Sequence, residues 1–198
     1  MYYSLKQLNT LGFKVLGSNI QISMLAKFIN PSNITLKNNV QVDDYCFLSA
    51  NSGIIDIGNY VHISRNTSLI SGSKIILSDF SGISNNCSVF GKSGIYDGTC
   101  LTNPTIPKKY EKLTVGDIFL GKHVVIGSNT VVLPNTYIND GAAVGALSLV
   151  YGKLNGWNIY GGSPIKKLKE RKKDCLKYEK ELMSSINNEP KECFPFYL

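Results

Sequence analysis

An aliphatic residue recurs every six positions along much of this chain, and this period constrains the fold more strongly than any other feature. From position 120 onward the aliphatic positions are Leu120, Ile126, Val132, Ile138, Val144 and Val150. Two residues before each comes a small or β-branched residue, and these are Ile118, Val124, Thr130, Thr136, Ala142 and Ser148. An amphipathic helix does not explain this period, because a helical face recurs every three or four residues.

The same period runs through the first half of the chain, with insertions of two or three residues. There the positions are Leu16, Ile22, Phe28, Leu36, Val42, Leu48, Ile57, Ile63, Leu69, Leu77, Ile83 and Val89. Residues two apart in a strand share one face, and glycine or asparagine between strands tolerates the backbone of a corner. We therefore predict an all-β parallel β-helix, in which three short strands make one triangular coil and about six coils stack at ~4.8 Å.

The repeat is absent from residues 90–117, where glycines and prolines are frequent. This composition predicts an excursion loop, and so long a loop on a regular scaffold is usually functional or disordered. We place an N-terminal cap at residues 1–15, with a short helix near Ser4 to Leu11, and the β-helix domain at 16–164. We place a C-terminal helix and tail at 165–198, because apolar residues there recur at roughly helical spacing. That helix would cover the open end of the coils.

Composition restricts the class of protein. Hydrophobic residues make up 43% of the chain and charged residues 18%, which is typical of an ordered domain. We see neither a membrane-spanning run nor a secretory signal, so we expect no transmembrane segment and a cytoplasmic location. The net charge is +7, with eight Lys or Arg between Lys166 and Lys180. Because no nucleic-acid-binding motif accompanies this charge, we expect an anionic small molecule and no nucleic acid as its partner.

Metal chemistry is not expected. The chain has two histidines, and its five cysteines form no CxxC pair. The cysteines are Cys46, Cys87, Cys100, Cys175 and Cys193, and we interpret them as unpaired thiols in a reducing compartment.

The histidines are the first candidates for a catalytic base, because histidine suits proton removal near neutral pH. His62 precedes the inward Ile63, so strand alternation points it outward. The predicted register gives an outward column of Gln21, Gln41, His62, Gly82, Val125 and Ala143. Gly82 leaves a gap beside His62 where a ligand can approach closely, although an outward polar residue or a subunit contact would also place a histidine here. His123 falls at a corner and is the second candidate.

The period and several short motifs resemble the hexapeptide-repeat acyltransferase family. The steps Ile57-Gly58, Leu120-Gly121 and Ile126-Gly127 are of the family type, and IYGGSPIKKLK at Ile159–Lys169 is similar to its closing turn. More narrowly, LTNPTIPKKY at Leu101–Tyr110 followed by LGKHVVIGSNTVVLP resembles sugar O-acetyltransferases of O-antigen and capsule synthesis. The resemblance covers the chain from about Leu16 to Lys169. It implies a left-handed β-helix, acetyl-CoA as acyl donor, and a homotrimer with active sites between subunits.

The implied reaction moves an acetyl group from acetyl-CoA to a hydroxyl of a surface-polysaccharide sugar or its nucleotide-linked or lipid-linked precursor. The small residues beyond Gly82 would then form a track for the pantetheine arm, with the thioester near His62. In the family the long loop reaches over the acceptor site of a neighbouring subunit. Tyr96, Asp97 and Asn103 are therefore candidate sugar contacts together with Gly82, although Asn and Asp also make turns.

Cofactor contacts follow from the resemblance, position by position. Ser128 and Ala146 match family positions that meet the pantetheine. Lys166 and Lys169 match basic residues that meet the CoA phosphates, and Lys153 stands near the usual Thr-Lys. For each lysine, a solvated surface charge is an equally good interpretation.

The sequence departs from the family in one respect, because residues 90–98 contain no histidine where many sugar acetyltransferases carry their base. Three explanations remain open: His62 is the base, Asp97 assists in another arrangement, or the acceptor is an amine that needs less base assistance. The last would make the protein an N-acetyltransferase of an amino-sugar nucleotide. A non-catalytic carbohydrate-binding β-helix is a further alternative, and a metal site built from His62 and His123 of two chains is the weakest.

Overall fold

The computed structural model describes residues 1–188, and the predicted tail from residue 189, with Cys193, lies outside the described residues. The chain begins with a short helix, α1 (Leu5–Thr10), whose N-terminus is capped by Ser4 and Gln7 acting reciprocally. Leu8 of this helix is buried and belongs to the hydrophobic core.

Short strands follow one another around a triangular coil. Before the excursion loop they are β1 (Val15–Leu16), β2 (Gln21–Ile22), β3 (Lys27–Ile29), β4 (Ile34–Leu36), β5 (Gln41–Val42), β6 (Phe47–Ser49), β7 (Ile54–Ile57), β8 (His62–Ile63), β9 (Ser68–Ile70), β10 (Lys74–Leu77), β11 (Gly82–Ile83) and β12 (Ser88–Phe90). From the loop onward they are β13 (Lys92–Gly94), β14 (Leu113–Val115), β15 (Ile118–Leu120), β16 (Val125–Ile126), β17 (Val131–Val132), β18 (Thr136–Ile138), β19 (Ala143–Val144), β20 (Leu149–Val150), β21 (Lys153–Leu154), β22 (Asn158–Gly161) and β23 (Lys166–Glu170), before helix α2 (Cys175–Asn188). One-turn 3-10 helices occupy Pro31–Asn33 and Lys108–Tyr110.

The strands stack into three parallel walls. Wall 1 contains β1, β4, β7, β10, β15, β18 and β21; wall 2 contains β2, β5, β8, β11, β16, β19 and β22; wall 3 contains β3, β6, β9, β12, β17 and β20. The described chain thus forms six complete coils and two sides of a seventh, in agreement with the prediction of about six.

The predicted six-residue positions form the core. All of them are buried except Leu16 and Phe28, which are partly buried in the first coil. The small partners two residues earlier are buried as well, among them Thr130, Ala142 and Ser148. Burial follows the six-residue period because each coil covers its apolar residues only with those of the coils above and below.

One corner of the triangle carries rings as well as asparagines. Between walls 1 and 2 the left-handed backbone conformation is adopted by Asn19, Asn39, Tyr60, Phe80, His123 and Trp157, with φ between 53° and 60°. The rings of Tyr60 and Phe80 stack at 4.8 Å, and that of Phe80 stacks on His123 at 5.2 Å. Stacking between coils offsets part of the cost, roughly 1 kcal/mol, of a non-glycine residue in this conformation.

The C-terminal boundary differs from the prediction. Residues 166–170 form β23, which pairs antiparallel with β22 at the end of wall 2, and the helix begins only at Cys175. Leu168 is exposed although its spacing suggested the inner face of a helix. The open edge of wall 2 explains the difference, because the unpaired backbone groups of β22 need hydrogen-bonding partners that a returning strand supplies.

The excursion loop has its own structure. Its two ends form an antiparallel hairpin of β13 and β14, in which Ser93 lies opposite Thr114. A bridge between Leu101 and Glu111 and the turn at Lys108–Tyr110 organise its outer part. The hairpin therefore holds the loop in a defined position beside the fourth coil.

Candidate active site

His62 lies where the register predicted, on the outer face of wall 2. Its neighbours are Gln41 on β5 and Gly82 on β11. The side chain is 50% exposed, so the imidazole is accessible from solvent. A half-exposed histidine on a rigid strand can exchange protons with a bound ligand.

A carboxylate that the sequence interpretation missed fixes this imidazole. Asp43, the residue after β5, has its Oδ2 at 2.9 Å from His62 Nε2. Its Oδ1 accepts a hydrogen bond of 2.8 Å from Gln41 Nε2. The signal was present in the sequence, because Asp43 follows Gln41 by two residues and so points outward on the same wall, one coil before His62.

The space beside His62 is open. A Cβ added at Gly82 would meet no heavy atom nearer than the His62 carbonyl oxygen, at 3.8 Å. The next outward positions on wall 2 are Val125, Ala143 and Ile159. A second outward column, two residues further along each strand, reads Ser64, Ser84, Gly127, Gly145 and Gly161. This second column contains only serine and glycine from the coil of His62 to β22, and it forms the small-residue strip of wall 2.

His123 has a different environment. It is 8% exposed and lies in the aromatic corner. Its Nε2 is 2.8 Å from Glu179 Oε2 on α2, and its carbonyl oxygen accepts a hydrogen bond from Arg171 Nη1 at 2.7 Å. Trp157, whose ring covers Gly141, lies 6.2 Å from the His123 ring. These contacts join the C-terminal segment to the corner.

The loop candidates make contacts within the loop. Asp97 Oδ1 accepts hydrogen bonds from the Thr99 hydroxyl and, with a smaller effect, from the Thr99 amide, and both hold the pKa of this carboxyl below its ordinary value. Asn103 receives the same pair of bonds from Thr105. Tyr96 is 83% exposed. The side chains of Asp97 and Asn103 thus stabilise turns in this chain. The second carboxylate oxygen of Asp97 makes no such contact within the turn.

The predicted cofactor residues fall into separate groups. Ser128 and Ala146 lie on successive coils after wall 2, where the Ser128 carbonyl accepts from the Leu147 amide at 2.9 Å. Lys166 and Lys169 lie on β23, opposite Gly161 and Ile159, and are exposed. Lys153 begins β21 on wall 1, opposite Tyr137, so the structure does not place it on the wall that carries the other two lysines.

Known proteins resemble this chain over most of its length. It is 40% identical to the dTDP-4-amino-4,6-dideoxy-D-glucose acyltransferase of Escherichia coli over 173 residues, 87% of this chain and 90% of that protein. The chain belongs to the hexapeptide-repeat sugar acyltransferases. No family model matches it.

Solved structures agree with this membership. AntD, an N-acyltransferase from Bacillus cereus solved with dTDP and 3-hydroxybutyryl-CoA, shares 40% identity, with a TM-score of 0.90 over 94% of this chain and 98% of its own. A serine-to-cysteine variant of AntD, solved with dTDP-4-amino-4,6-dideoxyglucose and coenzyme A, gives 39% identity and a TM-score of 0.88 over 93% and 97% of the two chains. The expected left-handed parallel β-helix of this family is confirmed.

Within residues 1–188, neither α1 nor α2 is long and apolar enough to cross a bilayer.

Proposed function

We propose that this protein transfers an acyl group from an acyl-CoA thioester to the amino group of a nucleotide-linked amino sugar. The observation that carries the proposal is 40% identity, over almost all of both chains, to an acyltransferase named for dTDP-4-amino-4,6-dideoxy-D-glucose. The AntD complexes with dTDP-sugar and coenzyme A support the same donor and acceptor classes. These similarities favour the amine alternative over the hydroxyl acceptor that the sequence motifs suggested.

The small-residue strip of wall 2 is the proposed track for the pantetheine arm. From β8 to β22 it spans four strand spacings of ~4.8 Å, or about 19 Å. The thioester would lie near His62 and Gly82, and Ser128 and Ala146 would border the arm. Lys166 and Lys169 on β23, at the far end of the same wall, would meet the phosphates of the nucleotide. Lys153 is a weaker candidate, because it lies on wall 1.

The chemistry that this arrangement supports is direct acyl transfer. The acceptor amine must be unprotonated to attack the thioester carbonyl, and His62 would take its proton. The new amide bond forms as the carbon–sulfur bond breaks, and the CoA thiolate then receives a proton. Asp97 and Tyr96 would contact the acceptor from the loop. His123 remains the second candidate for the base, although its ring nitrogen is occupied by Glu179.

The proposed assembly is a homotrimer with sites between subunits. The half-exposed His62 and the projecting hairpin of β13 and β14 support a site that a second subunit completes. Analytical ultracentrifugation tests this assembly, and a monomer that is active at all concentrations would contradict it.

Thiol release from acyl-CoA tests the reaction itself. The acceptors are dTDP-4-amino-4,6-dideoxyglucose and the matched sugar with a hydroxyl at C4. Thiol release only with the amine is expected. Release only with the hydroxyl sugar would restore the O-acetyltransferase interpretation, and absence of acyl-CoA binding in calorimetry would favour a non-catalytic carbohydrate-binding protein. In the same assay His62→Gln is expected to keep only a small residual turnover while it still binds acyl-CoA, and His123→Gln and Asp97→Asn test the other two candidates for proton transfer.

A further inference from the structure

A chain of three polar side chains crosses two coils of wall 2. Gln41 Nε2 donates to Asp43 Oδ1 at 2.8 Å, and Asp43 Oδ2 lies 2.9 Å from His62 Nε2. A carboxylate in this position accepts, so Nε2 carries the proton and Nδ1 has the lone pair. The contact therefore selects which nitrogen of His62 can act as a base.

We propose that Asp43 is a positioning residue for catalysis, which holds His62 in the tautomer whose Nδ1 accepts the proton of the acceptor amine. This inference rests on the proposed function. It adds a residue that touches neither substrate nor cofactor and acts only through His62.

The burial of the two partners supports this division of roles. The side chain of Asp43 is 19% exposed, whereas that of His62 is 50% exposed. Gln41 holds the carboxylate from one side, so its orientation is fixed while the imidazole stays accessible. Because half of the His62 side chain is exposed to solvent, the ion pair contributes little to the stability of the fold.

Other charged groups surround the pair. Asp44 follows Asp43 and accepts a hydrogen bond from the Ser23 hydroxyl. Burial first, and then the charges of Asp43 and Asp44, raise the pKa of Tyr2, while Arg65 acts in the opposite direction. Asp44 thus carries the same charge in the same neighbourhood but has no contact with His62, and it provides the matched control.

Asp43→Asn tests the role sharply because of Gln41. If the new amide keeps its oxygen toward the Gln41 donor, its NH2 group faces His62 Nε2, which must then accept. The proton moves to Nδ1 and the base is lost. We expect kcat to fall by about 10- to 100-fold, with KM for acyl-CoA nearly unchanged. Asp44→Asn should retain kcat, and Asp43→Glu should recover part of it.

A double-mutant cycle with His62→Gln distinguishes positioning from other effects. If Asp43 acts through His62, Asp43→Asn has no further effect in the His62→Gln background. Equal losses in both backgrounds, or a kcat loss explained by a lower melting temperature, would overturn the inference. Failure of the proposed function gives a different result, because the wild type itself would then show no thiol release with the amino sugar.

Discussion

Gly82 is the position where activity and stability should separate most cleanly. It lies on β11 between His62 and Val125, and a side chain there would project into the open space beside His62. The nearest heavy atom to an added Cβ is 3.8 Å away, an ordinary van der Waals distance. The backbone of this strand therefore accepts a Cβ without displacement of a neighbour.

The expected magnitudes follow from that space. Glycine in a strand costs roughly 0.5–1 kcal/mol relative to alanine, and valine favours strands further. Gly82→Val should therefore raise the free energy of unfolding by about 1 kcal/mol, and the melting temperature by about 2–4 °C. The same branched side chain would occupy the proposed path of the thioester. We expect kcat/KM for acyl-CoA to fall at least about tenfold, the equivalent of 1.4 kcal/mol, with Gly82→Ala intermediate.

Thermal unfolding and steady-state thiol release measure the two effects on the same samples. Thr35→Val is the matched control, because it places a valine at an outward position of wall 1 with almost no added volume. The control should keep wild-type activity. A Gly82→Val protein that is stable and fully active would refute the placement of the acyl donor on wall 2. A Gly82→Val protein that is less stable than the wild type would refute the conclusion that the space at this position is open.

Three further predictions concern the core and the C-terminal segment. The buried Ser81 hydroxyl has no hydrogen-bond partner among the described residues, so Ser81→Ala should raise the free energy of unfolding in urea by about 1 kcal/mol. As a control, Ser71→Ala removes a hydroxyl that donates to the Ile54 carbonyl and should lower the free energy of unfolding. Glu179→Gln should increase hydrogen exchange in α2 with little change in kcat, and a large loss of kcat would return His123 to the position of base. Burial raises the pKa of the Cys46 thiol to about 11. Because the thiol of the unfolded chain ionises first, near 8.5, the free energy of unfolding should fall as pH rises from about 8.5 to 11. A fall of equal size in Cys46→Ala would contradict this assignment.

The inward half of the molecule could be predicted from the sequence because one requirement repeats in every coil. Each short strand must present one aliphatic residue to the coils above and below, so the period that predicts Ile63 and Ile126 also predicts their walls and neighbours. The predicted column through Gln41, His62, Gly82 and Val125 agrees with the observed pairing. Register was predictable because the slip of a single residue would turn the aliphatic residues toward solvent.

The structural features that the sequence did not predict depend on contacts between particular residues rather than on the six-residue period. β23 forms because the last strand of wall 2 lacks partners, and the spacing of Ile165 and Leu168 alone did not reveal it. Asp43 was overlooked because aspartate is common at turns, and its meaning depends on His62 in the next coil. The position of Trp157 at the aromatic corner depends on its contact with Gly141 in the preceding coil. Arg171, in the segment that follows, donates a hydrogen bond to the carbonyl of the same glycine.

The outward side chains of walls 1 and 2 differ in size. All three walls are built from short parallel strands stacked coil on coil. Wall 1 nevertheless carries Phe119 and Tyr137 at paired outward positions of its fifth and sixth coils, where wall 2 carries Val125 and Ala143. In the fourth coil wall 1 has Ile76 and wall 2 has Gly82. Strands favour large or β-branched residues on an outer face, and the space at Gly82 would admit a Cβ. Glycine at this position therefore costs stability without a packing reason, and the proposed path of the acyl donor beside His62 would account for it.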